Sequence, residues 1–445
     1  MKLVIFAGAS AGALLMASAA IAAPDVTSTI TQSDNSQVAA VDQSGITGGT
    51  AAATVVQSGD TNAAYVTQAG GAADNTAKSA LASTARVNQS GDHNKAFDSQ
   101  NGGSSASEID QSGSSNVASY AQHYSQGGVD SSLIQQSGGA GNSASVSQFD
   151  DGAASTIAQV GNANVASVNQ YVGTSVINQT GDNETAGVTQ SGGNATSIVN
   201  QSGGNYNTAY VSQVADASGG PYGTTSTVTQ YGAYGAVTVS QPAYMGYSTV
   251  TQAAYTSADT ANVTQSSWYG VNSVIQNGSY DNAAIAQTGG SAGSGEISYA
   301  TQGGANDVLS VAQSGMSDHS VVNQSGDVDT ATVIQTGKGD SSSVAQGGSG
   351  NLLFASSTGN SDVSTVSQTG GSNIASLSQT GDNSTSWIDQ YGANNTAGVV
   401  QGANAYSEIH QGGAYNAAYV SQTGGLGMSS VVNQTGSYGL AVVKQ

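Results

Sequence analysis

The sequence predicts an all-β fold: a flattened two-sheet β-solenoid, cross-β in character, built from strand-turn-strand coils of about 22 residues. Two observations predict it: glutamine recurs at a fixed spacing, and the residues between glutamines alternate in type. We place 35 glutamines in this register between Gln32 and Gln445, and 22 of the 34 steps between them are eleven residues long. Such a period is typical of a stack in which each repeat contacts only its neighbours.

Residues 57–68 (QSGDTNAAYVTQ) show the whole repeat. Counted from Gln57, a Gly stands two residues on, an Asn five, an Ala seven, a Val nine and the next Gln eleven residues on. In an extended chain positions five, seven, nine and eleven point to one face, and positions six, eight and ten to the other. The second set is mostly Ser, Thr, Ala, Asn and Tyr, which suits a solvated face. Each step therefore predicts one short strand with an inward Asn-Ala-Val-Gln stripe.

The four residues after each glutamine are rich in Gly, Asp and Asn, which favour tight turns. A turn after every strand makes two steps into one coil, and we expect a single repeat domain over residues 23–445. Longer connections are expected at 44–56, 69–88, 214–229 and 288–301, the third of which holds Gly219, Gly220 and Pro221. Ser357 stands where a glutamine is expected, which predicts a coil with one rung missing.

Stacking places each Gln and Asn over its counterpart one coil away, about 4.8 Å along the axis. Side-chain amides can then donate to one neighbour and accept from the other, which satisfies groups whose burial without partners costs ~1 to 3 kcal/mol. The sequence thus predicts a structural amide ladder that includes Gln57, Asn62, Gln68, Gln111, Asn116, Gln122, Gln159, Asn164, Gln170, Gln313, Gln324, Gln335, Gln368, Asn373, Gln379, Gln390, Asn395, Gln401, Gln411, Asn416, Gln422, Gln434 and Gln445.

Residues 1–22 predict a secretory signal peptide: Lys2 precedes an apolar run, and residues 20–22 (AIA) form a small-x-small cleavage signature. The alternative, a transmembrane helix, lacks a basic stop-transfer cluster. The chain has no cysteine, so an exported form would depend on hydrogen bonding rather than disulfides. Residues 23–445 carry five Lys plus Arg against 27 Asp plus Glu, a net charge of −22, which disfavours nucleic acid and anionic lipid as partners.

The frame Gln-x-Gly-x-x-Asn-x-Ala-x-x-x-Gln resembles the curlin repeat of bacterial curli fibre subunits. It is met at 57–68, 111–122, 159–170, 368–379 and 411–422, and Gln-Tyr-Gly occurs at 230–232 and 390–392. The resemblance implies a secreted subunit that polymerises outside the cell into functional amyloid, supporting biofilm matrix and adhesion. It also implies a nucleator subunit and an outer-membrane secretion pore as partners. The chain is much longer than a typical curlin, and the segment between the signal peptide and the repeats shrinks to 23–31.

Composition alone is also compatible with disorder, but disorder does not require a fixed period. A β-helix enzyme would need clustered catalytic groups, whereas the four histidines are scattered with no His-carboxylate cluster nearby, so we expect no catalysis. A calcium-binding β-roll repeats every nine residues, and an ice-binding solenoid would need a regular Thr-x-Thr array. A non-polymerising adhesin or stalk shares the fold, export and period of a fibre subunit. The final step keeps the repeat frame up to Gln445, which predicts end-to-end self-assembly.

Position five changes from Asn to Asp in one region, at Asp281, Asp307, Asp318, Asp329 and Asp340. With 22 residues per coil, Asp307 falls over Asp329 and Asp318 over Asp340, and these like charges repel. We expect the carboxylates to splay into solvent at the turns. The alternatives are a shared Ca²⁺ held by Asp307, Asp318, Asp329 and Asp340, or raised carboxyl pKa values that favour assembly in mild acid. No other cofactor is expected.

Overall fold

The structure, a computed structural model, describes residues 2–7, 14–18, 25–46, 50–70, 82–102, 104–123, 129–149, 152–214, 223–242, 245–254, 257–289, 295–425 and 427–445. These residues form 38 β-strands and no helix. The chain divides into two compact units, Met1–Gly223 and Thr224–Gln445. Within each unit, odd-numbered strands form one parallel sheet and even-numbered strands the other. The predicted two-sheet β-solenoid is confirmed.

In unit Met1–Gly223, the first sheet contains β1 (Lys2–Ala7), β3 (Asp25–Gln32), β5 (Thr50–Gln57), β7 (Ala82–Gln89), β9 (Ser104–Ser114), β11 (Val129–Ala140), β13 (Ala153–Val160), β15 (Gly173–Thr180) and β17 (Ala195–Ser202). The second sheet contains β2 (Leu14–Ser18), β4 (Val38–Ile46), β6 (Ala63–Gly70), β8 (Lys95–Asn101), β10 (Val117–His123), β12 (Ser143–Gln148), β14 (Val165–Gln170), β16 (Thr185–Ser191) and β18 (Thr208–Val214).

In unit Thr224–Gln445, the first sheet contains β19 (Thr225–Gln230), β21 (Tyr247–Gln252), β23 (Val271–Gln276), β25 (Ile297–Gln302), β27 (His319–Gln324), β29 (Ser341–Ser349), β31 (Val363–Gly371), β33 (Thr385–Ala393), β35 (Tyr406–Ala414) and β37 (Ser429–Gln434). The second sheet contains β20 (Ala236–Gln241), β22 (Thr260–Gln265), β24 (Asn282–Gln287), β26 (Val308–Gln313), β28 (Thr330–Gln335), β30 (Leu352–Ser357), β32 (Ile374–Gln379), β34 (Thr396–Gln401), β36 (Ala417–Gln422) and β38 (Leu440–Lys444).

The strands pair in the register that the repeat requires, with glutamine opposite glutamine and core residue opposite core residue. Strand β27 pairs with β29 so that Val322 lies over Val344 and Gln324 over Gln346. Burial alternates along the strands of the regular repeats, as in β28, where Ala331, Val333 and Gln335 are buried between partly exposed neighbours. Because a strand alternates faces at every residue, this register puts all inward positions between the two sheets. The interior thus combines apolar side chains with buried amide, hydroxyl and carboxyl groups.

The turns place a residue in the left-handed conformation at a fixed position of the repeat. Positive φ recurs at position four, immediately before the inward Asn or Asp, and Asn306, Ser317 and Val328 hold φ angles of 59°, 60° and 61°. Many glycines at position two also have positive φ, such as Gly59 at 87° and Gly370 at 111°, and close packing between turns is a second reason for glycine there. A Cβ added to Gly304 would lie 1.2 Å from the carbonyl oxygen of Gly326 in the next coil, so only glycine allows the turns to stack this closely.

The predicted signal peptide overlaps two described strands. Strand β1 pairs in parallel with β3, and β2 pairs with β4. The cleavage signature at 20–22 lies outside the described residues, as do Gly219, Gly220 and Pro221, so both remain predictions. No helix in the described part of the chain is long and apolar enough to cross a bilayer.

Candidate functional site: the buried amide and carboxylate columns

Glutamine side chains of successive coils hydrogen-bond to one another inside each unit. Gln324 Nε2 donates to Gln346 Oε1 at 2.9 Å, and Gln324 Oε1 accepts from Gln302 Nε2 at 3.1 Å. Gln324 Nε2 also donates to the carbonyl oxygen of Val308, on the facing sheet, at 3.1 Å. The side chain is fully buried, so all three bonds form away from water. One glutamine therefore ties its coil to both neighbouring coils and its sheet to the facing sheet.

The side-chain bond continues through most of the register, and we call this run of glutamines the amide ladder. In the first sheet it joins, in order, Gln32, Gln57, Gln89, Gln111, Gln136, Gln159, Gln179 and Gln201, and then Gln230, Gln252, Gln276, Gln302, Gln324, Gln346, Gln368, Gln390, Gln411 and Gln434 in the other unit. In the second sheet it joins Gln43 to Gln68 and Gln100, Gln190 to Gln213, the run Gln241, Gln265, Gln287, Gln313 and Gln335, and the run Gln379, Gln401, Gln422 and Gln445.

Two predicted ladder residues, Gln122 and Gln170, depart from this pattern. Gln122 Nε2 donates to Asp130 Oδ2 at 2.7 Å, Gln170 Nε2 donates to backbone carbonyls, and the Oε1 atom of each has no hydrogen-bond partner. For Gln122 the cause lies in the core nearby, where Tyr120 replaces the usual Val at position nine. Its hydroxyl donates to Gln148 Oε1 at 2.9 Å, at the acceptor that a neighbouring glutamine would otherwise use.

Ser357 occupies the ladder position predicted to lack a rung. Its strand, β30, is nevertheless complete and pairs in register with β28 and β32. Ser357 Oγ donates to Gln379 Oε1 at 3.1 Å. Gln335 Nε2 keeps only its bond to the His319 carbonyl oxygen. The coil is therefore whole, and one amide is replaced by a shorter hydroxyl.

Asparagines at position five form a second column of amides at the turns. Asn373 Oδ1 accepts from the backbone N–H of Asn395, in the next coil, at 3.1 Å. Asn373 Nδ2 donates to the carbonyl oxygen of Gly392 at 3.1 Å and of Thr369 at 3.4 Å. Oδ1 of Asn62, Asn116, Asn164, Asn395 and Asn416 accepts a next-coil backbone N–H in the same way. Each asparagine side chain thus closes its own turn and binds the turn that follows.

Where position five is acidic, the side chains form two stacks, which we call the acidic columns. The first comprises Asp259, Asp281, Asp307 and Asp329, and the second Glu296, Asp318, Asp340 and Asp362. The predicted stacking of Asp307 with Asp329 is present: Oδ1 of Asp307 accepts from the backbone N–H of Asp329 at 2.9 Å. Likewise, Oδ1 of Asp318 accepts from Asp340 N–H at 3.1 Å.

The expectation that these carboxylates splay into solvent is wrong. Asp307, Asp318, Asp329 and Asp340 are all fully buried, because each turn is covered by the turns of neighbouring coils. Burial raises the pKa of Asp307 and Asp318 to about 6, since desolvation penalises the charged form and the stacked aspartates add repulsion. The pKa values of Asp329 and Asp340 are raised for the same leading reason, although hydrogen bonds from the following coil oppose the rise.

The same residues were predicted as a Ca²⁺ site. The first pair, Asp307 and Asp329, precedes strands of the second sheet, whereas Asp318 and Asp340 precede strands of the first sheet. In the described part of the chain, no group of three or more His, Cys, Asp or Glu side chains is placed to hold a metal ion. The structure therefore groups the four aspartates as two pairs, and calcium binding stays a prediction.

A His-carboxylate cluster lies on the outer face of the first sheet. The expectation from the sequence that no carboxylate clusters with a histidine is therefore wrong at this site. His410 Nε2 lies 2.5 Å from Glu408 Oε1, and its Nδ1 lies 3.5 Å from Asp389 Oδ2 in the preceding coil. Tyr406 donates its hydroxyl to Glu408 Oε2 at 2.8 Å. The sequence could have predicted this contact, because Asp389 lies one coil before His410 and residues one coil apart stack on one another. Hydrogen bonds to Glu408 and Asp389 raise the pKa of His410.

The chain was compared with models of known protein families and with curated proteins, and it matches none of them.

Proposed function

We propose that this protein is an exported structural subunit of the curlin type, which self-assembles into extracellular cross-β fibres for biofilm matrix and surface adhesion. The observation that carries the proposal is that successive coils are joined by the same hydrogen bonds. At each regular boundary a glutamine donates to a glutamine, and a position-five side chain accepts a backbone N–H, at nearly constant distances. A surface that repeats in this way can be continued by a coil from a second copy of the chain.

Parallel, in-register strands with stacked amides are also the arrangement by which separate chains form cross-β fibres. Here the arrangement is made within one chain, by strands paired residue for residue, as in β31 with β33. A low content of charged residues, 7%, and the absence of cysteine fit an extracellular fibre whose cohesion comes from hydrogen bonds. The export signal at 1–22, a nucleating subunit and an outer-membrane pore belong to the same proposal, as do the absence of catalysis and of nucleic-acid or membrane partners.

The proposal is tested by incubating the purified chain and following thioflavin fluorescence, sedimentation and fibre diffraction. We expect fibres with a meridional reflection at about 4.7 to 4.8 Å. The Gln346→Leu variant, which interrupts the ladder, should elongate more slowly, whereas Ser343→Ala on the exposed face of the same strand should not. A chain that stays monomeric at high concentration over days would contradict self-assembly and favour the adhesin or stalk.

A further inference from the structure

The acidic columns pose a hydrogen-bonding problem that the asparagine columns do not have. The Oδ2 atoms of Asp281, Asp307, Asp318, Asp329 and Asp362 are buried without a hydrogen-bond partner. Asp340 Oδ2 differs, because it accepts a hydrogen bond from the backbone N–H of Gly337 at 3.3 Å. Orphaned oxygens of this kind destabilise the folded state when neutral, and more so when charged. The same defect recurs in successive coils, so it is a regular property of the columns.

The neighbouring asparagine shows what the missing partner is. Asn351 stacks directly after Asp329, with its backbone N–H donating to Asp329 Oδ1 at 2.8 Å. Asn351 Nδ2 donates to the carbonyl oxygens of Gly347 and Gly370, at 3.2 and 3.3 Å. In an aspartate, Oδ2 occupies the place of that Nδ2. The aspartate therefore presents an oxygen to the glycine carbonyl of the next coil, where the asparagine presents a donor.

The approach of these oxygens can be followed at Asp281. A Cβ added to Gly278 would lie 2.4 Å from Asp281 Oδ2 and 1.5 Å from the carbonyl oxygen of Gly304, so the two oxygens are within about 4 Å of each other. Asp318 repeats this arrangement beside Gly315, with the carbonyl of Gly337. Two acceptors held this close, out of water, require a positive partner between them.

Backbone N–H groups of the turn glycines, such as Gly278 and Gly337, also bond to the aspartate of their own turn, but no basic side chain in the described part of the chain supplies a positive partner. Those whose charges act on the columns are acidic: the column neighbours themselves, and the exposed Asp327 and Asp382 in adjacent turns. Lys338 and His319 are neighbours in sequence to Asp340 and Asp318. Among the described residues, however, the ion pairs are only Arg86 with Glu108 and His410 with Asp389 and Glu408. A calcium ion would need six to eight oxygen ligands, far more than one carboxyl oxygen and the adjacent carbonyls offer.

We propose that the acidic columns fold as neutral carboxylic acids, in which the Oδ2–H group takes the place of the asparagine amide and donates to the glycine carbonyl of the next coil. The proton comes from solvent before the turn is covered. It is lost again only when the coil opens or the pH rises. Unit Thr224–Gln445 then folds with full stability in mild acid and is weakened as its aspartates ionise, whereas the asparagine-containing coils do not respond.

The pH window follows from the raised pKa values. Burial raises the pKa of Asp281 to about 7 and of Asp307, Asp318 and Asp362 to about 6, whereas an aspartate in an unfolded chain has a pKa near 3.9. The folded state therefore binds more protons than the unfolded state between these values. The stability that the protonated aspartates add is fully present below about pH 4 and is lost as the pH rises through about 6 to 7.

The test is urea unfolding of the full chain at dilute concentration, followed by circular dichroism at pH 5, 6, 7 and 8. We expect the equilibrium constant for unfolding to rise at least tenfold from pH 5 to pH 8, since one group shifted by one pKa unit already gives that factor. In the variant that neutralises both acidic columns, with Asp→Asn at 259, 281, 307, 318, 329, 340 and 362 and Glu296→Gln, the pH dependence should fall to the part that Asp98 and Glu184 of the other unit contribute, since their pKa values are also raised. The unfolding midpoint of this variant at pH 8 should rise. The control variant Asp92→Asn, in an exposed turn of the other unit, should show the same pH dependence of unfolding as the wild type.

Infrared spectroscopy of the wild type gives a second measurement, which needs no variant to fold. The carbonyl band of protonated carboxylic acids should persist at pH 6, where exposed aspartates are ionised. A wild type whose band is no stronger than that of the eight-site variant, or an eight-site variant that keeps the full pH dependence of the wild type, would overturn the proposal. Recovery of the pH 8 midpoint by Ca²⁺, with no protonated band at pH 6, would show that a cation occupies the columns instead. Because every readout concerns the unfolding or protonation of the dilute chain, failure to form fibres would leave this inference standing.

Discussion

Replacing the ladder residue Gln324 by Leu tests the role of the amides at one defined rung. The change removes three hydrogen bonds: to Gln346 Oε1 at 2.9 Å, to the Val308 carbonyl at 3.1 Å, and from Gln302 Nε2 at 3.1 Å. Gln302 Nε2 keeps a second acceptor, the carbonyl of Asn282 at 3.1 Å. The largest loss therefore falls on Gln346 Oε1, which is left buried without a donor.

The expected cost follows from these contacts. An orphaned buried acceptor costs ~1 to 3 kcal/mol, and each of the other two lost bonds contributes ~0.5 to 1.5 kcal/mol. The leucine side chain is apolar and nearly matches glutamine in size, so its burial returns ~1 kcal/mol. We expect Gln324→Leu to lower the free energy of unfolding by about 1 to 5 kcal/mol.

The assay is urea denaturation of both the variant and a matched control, Ser343→Ala. Ser343 lies on the solvent-exposed face of β29, one coil from Gln324, and we expect its replacement to change stability by less than about 0.5 kcal/mol. Growth rate in the fibre assay should follow the same order. Equal losses of stability in the two variants would refute the assignment of glutamine to the inside.

Three further substitutions test the turns and the gap in the ladder. Ser357→Gln should supply the absent amide and raise the free energy of unfolding by about 1 kcal/mol, measured by urea denaturation; a lower midpoint would mean that the site cannot hold the longer side chain. Gly326→Ala should lower the thermal unfolding midpoint well below that of Gly303→Ala, because its Cβ would lie 2.1 Å from the Gly348 carbonyl oxygen, whereas the nearest atom to a Cβ at Gly303 is at 3.7 Å; similar midpoints would contradict the stacking contact. Val328→Asn should stabilise the chain by about 1 kcal/mol in the same scan, since a β-branched residue is strained at a φ of 61°; no gain would show that the strain is absent.

The sequence by itself determined the coil and its inside. Positions nine and eleven of the repeat lie on the same face of a strand, so Val322 and Gln324 are buried together. Shifting the strand by one residue would expose both. It also determined the stacking partners, because identical residues 22 apart pair best when they lie over one another. The fold class, the strand register and the stacking of Asp307 with Asp329 follow from this local regularity.

Only the tertiary structure decided how deeply each stacked side chain is buried and which hydrogen-bond partners it has. Aspartate is a common turn residue, so the sequence favoured a solvated Asp318, whereas turns stacked close enough to require glycine bury it completely. The diversion of Gln122 to Asp130 and the approach of Asp389 to His410 likewise depend on contacts between coils. The physical reason is that a repeat specifies which residues lie above one another. Burial and hydrogen-bond partners are set by the distance between coils and by the side chains that interrupt the pattern.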